Sequence, residues 1–252
     1  MNNKLCGIIT ARGGSKGIQF KNLYPVAGAP LIYYSIINAQ RSNIFDRLIV
    51  STDDDKIASV ARSYGVEVPF MRPADLALDH TQHFEVMRHA IETLPEKYEY
   101  TAIISPTAPT VQGFHWQEAL ELIEEKQADC VVSVLEMDFK HHPHKALTEL
   151  FDGYILVPEA RRRGIRRQEL PTAYFTTGGV YLFRTENILK GDIYGKKVVP
   201  YVIDDPQYAI DINEEADLDA ARSAILFYET PENRLRDAEL YEELKQGRWP
   251  HV

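Results

Sequence analysis

Short apolar runs alternate with helix-patterned stretches through the first half of the chain. The run at 5–10 is almost wholly apolar or β-branched and reads as a strand buried on both faces. After Pro30, the residues Ile32, Ser35, Ile36 and Ala39 recur at helical spacing, which predicts a helix over 31–39. Spans 48–51, 66–70, 102–105 and 130–135 are strand-like, and spans 53–64, 82–93 and 114–126 are helical. The helix at 53–64 opens on Asp53, Asp54 and Asp55, where the positive end of a helix dipole favours carboxylates. Gly65 stands at its expected stop. Strand–helix alternation of this kind predicts an α/β fold on a Rossmann-like, doubly wound, mostly parallel sheet.

From about residue 139 the alternation stops. The stretch 139–173 carries His141, His142 and His144, the cations Arg161, Arg162, Arg163, Arg166 and Arg167, and Pro143, Pro158 and Pro171. It reads as an insertion projecting from one domain that spans 1–252. The three histidines have no cysteine nearby and fit no common zinc spacing, so they read as a surface loop. Strand composition returns at 180–183 and 198–202. An amphipathic helix follows over 214–228, with Ala216, Leu218, Ala220, Ala221 and Ile225 available for burial, and then a polar helix over about 232–245.

Composition narrows the classes. A formal charge of −9 argues against a general binder of nucleic acid or of anionic membrane. No apolar run approaches the ~20 residues that span a bilayer. The cysteines, Cys6 and Cys130, both lie in strand-like runs, so a disulfide framework is not expected and a reducing cytoplasm is.

The most informative segment follows the first strand: Ala11, Arg12, Gly13, Gly14, Ser15, Lys16 and Gly17, then Lys21 and Asn22. A glycine-rich turn leaving a strand brings backbone N–H groups close to phosphate oxygens. Arg12, Lys16 and Lys21 add positive charge suited to a triphosphate, and Ser15 adds a hydroxyl donor. The spacing is neither that of a Walker A loop nor the G-x-G-x-x-G of dinucleotide binders. No Gly-x-Ser-x-Gly elbow marks a hydrolase.

The run ARGGSKGIQFKN resembles the opening motif of cytidylyltransferases that activate sialic and related ulosonic acids. FDRLIVSTDD at 45–54, YGVEVPFMRP at 64–73, PTAP at 106–109, RQELP at 167–171 and GGVY at 178–181 are similar, in order, to later blocks of the CMP-sialic acid synthetase family. The resemblance covers roughly 5–220. It implies transfer of CMP from CTP to the anomeric hydroxyl of an acidic nine-carbon sugar, with Mg²⁺ as cofactor. On this likeness Ala11, Arg12, Gly13, Gly14, Ser15, Lys16 and Lys21 would hold the triphosphate, with Lys21 near the leaving group. Asn22 and the backbone around Arg72 would read cytosine. The catalytic residues would be Lys21, Arg12 and Asp211.

Metal ligands are where the chain departs from its relatives. The family's Asp-x-Asp strand reads Asp211-Ile212-Asn213 here, with Asp217 the nearest carboxylate in sequence to replace the missing charge. The same residues also suit a plain strand-end turn in which Asn213 caps the following helix. Ser105 stands where the sialic branch usually has Gln, and Thr177-Gly178-Gly179 where it has Asn-Gly-Ala. The acceptor set implied is Ser105, Lys145, Arg167, Gln168 and Tyr181, with Lys145 and Arg167 reaching a second subunit's site in a homodimer. Rival readings are a different base such as GTP, an eight-carbon or phosphonate acceptor, or a nucleotide binder that has lost catalysis.

Overall fold

A computed structural model describes residues 3–15, 17–149, 155–159, 163–164, 166–226 and 242–246. Lys16, Arg161 and Arg162 lie outside the described residues, as does most of the closing helix expected over 232–245, of which 242–245 are helical.

Ten strands are described. They are β1 (Asn3–Thr10), β2 (Pro25–Val26), β3 (Ala29–Pro30), β4 (Arg47–Ser51), β5 (Tyr98–Ile104), β6 (Cys130–Glu136), β7 (Thr148–Glu149), β8 (Ile155–Leu156), β9 (Tyr174–Arg184) and β10 (Val198–Val202). The helices are α1 (Leu31–Ser42), α2 (Asp55–Ser63), α3 (His83–Thr93), α4 (Gly113–Glu125), α5 (Thr185–Lys190) and α6 (Glu215–Leu226). Six strands form the main sheet in the order β10-β6-β9-β5-β1-β4. β1 runs parallel to β4 and β5, and β10 parallel to β6. β9 is antiparallel to both its neighbours. The expected α/β class and mostly parallel sheet are what the chain adopts.

Both faces of the sheet are covered, which is why its strands read as near-continuous apolar runs. On one side Ile32, Ile36 and Ala39 of α1, Ile57 and Val60 of α2 and Trp116 and Ile123 of α4 pack on Leu5, Ile9 and Val50. On the other, Met87, Ala90 and Ile91 of α3 and Ile188 of α5 pack on Cys6, Ile8 and Cys130. Both cysteines are buried and free, and burial pushes each thiol up to about 12, so neither is a reactive thiolate near neutral pH.

Several expectations are corrected. The span 66–70 is not a ladder strand; Glu67 meets Ile49 of β4 in a single bridge, and just beyond both elements Met71 bridges Thr52. β9 begins earlier than the expected 180–183, because Ser133 supports an irregular register that pattern alone does not reveal. The pairing jumps between Val132 and Val134 of β6. Buried Ser133 closes the gap by accepting from the Val180 N–H at 2.7 Å and sharing a hydrogen bond with Thr177 Oγ1 at 2.7 Å. In α6, Leu218, Ala221 and Ile225 are buried as expected, whereas Ala216 and Ala220 face solvent. Among the three insertion histidines, His142 is buried and not a surface residue. One of its ring nitrogens bonds the Pro171 carbonyl at 2.8 Å, and the other accepts from the His144 N–H.

Candidate active site

β1 ends at Thr10 and the glycine-rich loop leaves the sheet there. The loop is anchored from below: the Gly13 N–H donates to Asp53 Oδ1 at 3.0 Å, and Asn22 Nδ2 donates to the Arg12 carbonyl at 2.8 Å. Of the three aspartates at 53–55, Asp54 caps α2 by accepting from the Lys56 and Ile57 N–H groups. Asp53 serves the loop instead.

The second wall comes from far along the chain. Ile212 is fully buried with Ile18, Val26, Leu31 and three residues of α6, and this small core pulls the 211–213 segment against the loop. The approach is close enough that a Cβ on Gly17 would stand 2.9 Å from the Asn213 carbonyl. The segment is irregular backbone and not the expected strand, held by a bond from the Ile212 N–H to the Thr107 carbonyl at 2.8 Å. Thr107 Oγ1 donates to Asp211 Oδ1 at 2.5 Å, and Asn213 Nδ2 donates to Asp211 Oδ2 at 3.2 Å. Gly178, at φ +74°, lets the β9 irregularity pass over Asp211; a Cβ there would stand 3.1 Å from the carboxyl.

Between these walls lies a cleft of about 600 Å³. Arg12, Ser15, Lys21, Asn22, Arg72, Asp211, Asn213, Ser105 and Tyr181 all line it. Nine expected site residues thus meet in one cavity. Ala11 is buried behind it, and Gly13 and Gly14 shape the loop without lining the cleft. Asp217 is spent elsewhere: its Oδ2 accepts from the Asn213 and Glu214 N–H groups, which caps α6 and pulls its pKa down. The expectation that Asn213 would cap this helix is corrected by the same bonds, because the Asp217 carboxylate takes that role. Lys145 and Arg167 both sit on the Phe139 ring, 4.1 and 5.4 Å from its centroid, and neither lines the cleft of its own chain; nor does Gln168.

Electrostatically the cleft is cationic at the loop end. Lys21 is half-buried; burial lowers its pKa, partly opposed by Asp211 and Asp217 and reinforced by Arg12. Burial also brings Arg72 down to about 10, against the pull of Asp53, so it stays charged at neutral pH. Its guanidinium is held by the Ser51 hydroxyl at 3.1 Å and the Ser51 carbonyl at 2.5 Å. Arg12 pairs with Asp79 at 2.8 Å. Among the described residues, no three His, Cys, Asp or Glu side chains converge on a ready-made metal cage.

Sequence reasoning missed His83, Asp79, Thr10 and Tyr194, which also line the cleft. His83 is the first residue of α3 and was visible only as a helix start. Burial, then Arg72 and Arg12, lower its pKa, with Asp211 opposing, so the ring is neutral at physiological pH. Thr107 was within reach, since it sits inside the PTAP block already singled out.

A family model described as cytidylyltransferase matches residues 6–248. A CMP-N,N'-diacetyllegionaminic acid synthase from Campylobacter jejuni is 33% identical over 83% of this chain and 89% of its own. A pseudaminic acid cytidylyltransferase from the same species is 32% identical over 86% of this chain and 94% of its own. In structure the chain is similar to a CMP:2-keto-3-deoxy-manno-octonic acid synthetase complexed with CTP. That likeness has a TM-score of 0.68 at 13% identity, covering 89% of this chain and 99% of that one, and it bears on the fold alone. With a matched model spanning nearly its whole length and a cleft of cations facing an aspartate, the chain belongs to the cytidylyltransferase family and is a nucleotidyltransferase.

Proposed function

We propose that this nucleotidyltransferase transfers CMP from CTP to the anomeric hydroxyl of an acidic nine-carbon sugar and releases pyrophosphate. The observation that carries the reading is the meeting of Arg12, Ser15 and Lys21 with Asp211 across one cleft. The named activities of its relatives supply the base and the sugar class. The acceptor oxygen bonds to the α-phosphorus, the bond from that phosphorus to its bridging oxygen breaks, and the hydroxyl proton passes to solvent. Such a displacement asks the protein for position and charge. Arg12, Lys16 and Lys21 neutralise the phosphates, Ser15 and the loop N–H groups orient them, and Asn22 and the Arg72 backbone face the base. The direct test is pyrophosphate release from CTP with a panel of nine-carbon acids, with GTP, UTP and ATP in parallel. Release with GTP alone, or with no nucleotide, would overturn it.

Mg²⁺ fits the donor set. Asp211 offers a hard carboxylate oxygen, and Asn213, whose amide nitrogen donates to Asp211, would offer its Oδ1 once that amide turns over. With no cluster of three His, Cys, Asp or Glu among the described residues, the remaining ligands would be phosphate oxygens and water, as is usual for this ion. When bound, the ion would neutralise phosphate charge and acidify the acceptor hydroxyl. Asn213 contributes no charge, so affinity is expected to be modest. Asn213→Asp should lower the Mg²⁺ concentration for half-maximal turnover by about tenfold. Without metal, the same variant should melt at lower temperature, since the bond to Asp211 becomes a repulsion. A thermal-shift titration with Mg²⁺ reads both effects.

We also propose a homodimer in which Lys145, Arg167 and Gln168 complete the partner's acceptor end. Their position outside their own chain's cleft supports this. Mixing inactive Arg167→Ala with inactive Asp211→Ala protein should restore up to about a quarter of wild-type activity through mixed dimers, each holding one intact site. No recovery after subunit exchange would sink the shared site.

A further inference from the structure

Asp211, Thr107 and Ser105 form a chain of hydrogen bonds with a fixed direction. A carboxylate has no proton to give, so the Thr107 hydroxyl spends its single hydrogen on Asp211 Oδ1, 2.5 Å away. Thr107 Oγ1 and Ser105 Oγ are 2.8 Å apart. With the Thr107 hydrogen already committed, the hydrogen between these two oxygens must come from Ser105. The Ser105 hydroxyl is thereby turned away from the cleft it lines, and what it shows to a substrate is lone pairs alone.

We infer that Ser105 is a specificity-determining residue that accepts a hydrogen bond from the sugar acceptor, and that Thr107 is the positioning residue that fixes this polarity. The inference rests on the acceptor reading above and sharpens it. The group placed at Ser105 must be an O–H or an amide N–H of the acceptor. A carboxylate, ether oxygen or carbonyl would meet lone pairs there, with the Asp211 charge behind them. The acceptor's carboxylate therefore points away from the 105–107–211 row.

Two experiments test this, and the first needs no acceptor. Neutron diffraction of the deuterated protein should place the Ser105 deuterium between Ser105 Oγ and Thr107 Oγ1, and the Thr107 deuterium towards Asp211. A Ser105 deuterium directed into the cleft overturns the inference whatever the substrate proves to be. The second compares nine-carbon acids in which each hydroxyl is replaced singly by fluorine, or an acylamino N–H by N-methyl. One replacement should cost the wild type about ten- to a hundredfold in kcat/KM and cost Ser105→Ala little, because a donor facing fixed lone pairs has no substitute. Thr107→Val frees the Ser105 hydrogen and should shrink the discrimination ratio, while Thr107→Ser keeps it. Because the ratio is taken within each variant, a general loss of activity in Thr107→Val cancels. Equal ratios in wild type and Thr107→Val would overturn the inference; failure of every nine-carbon acid would sink the acceptor reading instead, leaving the neutron result to decide the polarity of Ser105.

Discussion

Asp211→Ala is expected to lower turnover by three orders of magnitude or more while the protein still folds and still binds nucleotide in the absence of Mg²⁺. The size follows from where the residue sits. Asp211 is the carboxylate that faces the loop cations across the cleft, and it is held from two sides by Thr107 and Asn213. Removing a preorganised charge from a phosphoryl-transfer site costs about 10²–10³ even when one donor of several is lost. Here the loss also removes the sole charged ligand proposed for the ion. Folding should survive, since the segment is anchored by buried Ile212 and its backbone bond to Thr107, neither of which needs the carboxylate. Pyrophosphate release reads the first part and calorimetric titration with CTP the second. Turnover within tenfold of wild type would remove Asp211 from the site. Asp211→Asn separates charge from shape: it keeps the contacts with Thr107 and Asn213 within reach and should still lose nearly all Mg²⁺-dependent activity.

How much of this was legible before folding depends on whether a residue's role is set locally. The fold was, because two-sided burial writes itself into strands as apolar runs: Leu5, Ile8 and Ile9, or Cys130, Val131 and Val132, are each buried in the structure. The glycine-rich loop's place at the cleft was too, since a turn's composition and its cations lie within a few residues of a strand end. The 66–70 span misled because Val66 and Val68 have strand composition while the segment meets β4 by a single bridge. Asp217 misled for a different reason. In sequence it is simply a carboxylate near Asp211; in the fold two backbone N–H groups at a helix start claim it first. His83 and Asp79 carried no local signal, since a histidine opening a helix and an aspartate in a loop are common. His83 entered the site through the long-range packing of α3 on the sheet, and Asp79 through its pairing with Arg12. Thr107 shows the middle case. Its block was recognisable, but its bond to a residue 104 positions away exists in three dimensions only.

Lys21→Ala should reduce kcat/KM by about 10²–10³, and the lysine's protonation should set the alkaline limit of nucleotide binding. Loss of one charge-assisted contact from the cleft lining to the transferring phosphates accounts for the magnitude. The pH argument rests on burial, which disfavours the ammonium and holds the free protein's Lys21 below the usual 10.5. The protonated form is the one that binds phosphate. Affinity for CTP is therefore full below the lowered pKa and falls as pH rises through it, earlier than an exposed lysine would allow. Bound phosphate stabilises the ammonium, so binding at alkaline pH should take up a proton, and the enthalpy measured in buffers of different ionisation heat should report that uptake. Lys21→Arg keeps the cation at every accessible pH, so its CTP affinity should stay flat where the wild type declines. The guanidinium is larger and planar, and turnover in this variant should remain below wild type even at neutral pH. A decline of equal steepness in Lys21→Arg would assign the alkaline limb to another group and leave Lys21 with position, not protonation, as its contribution.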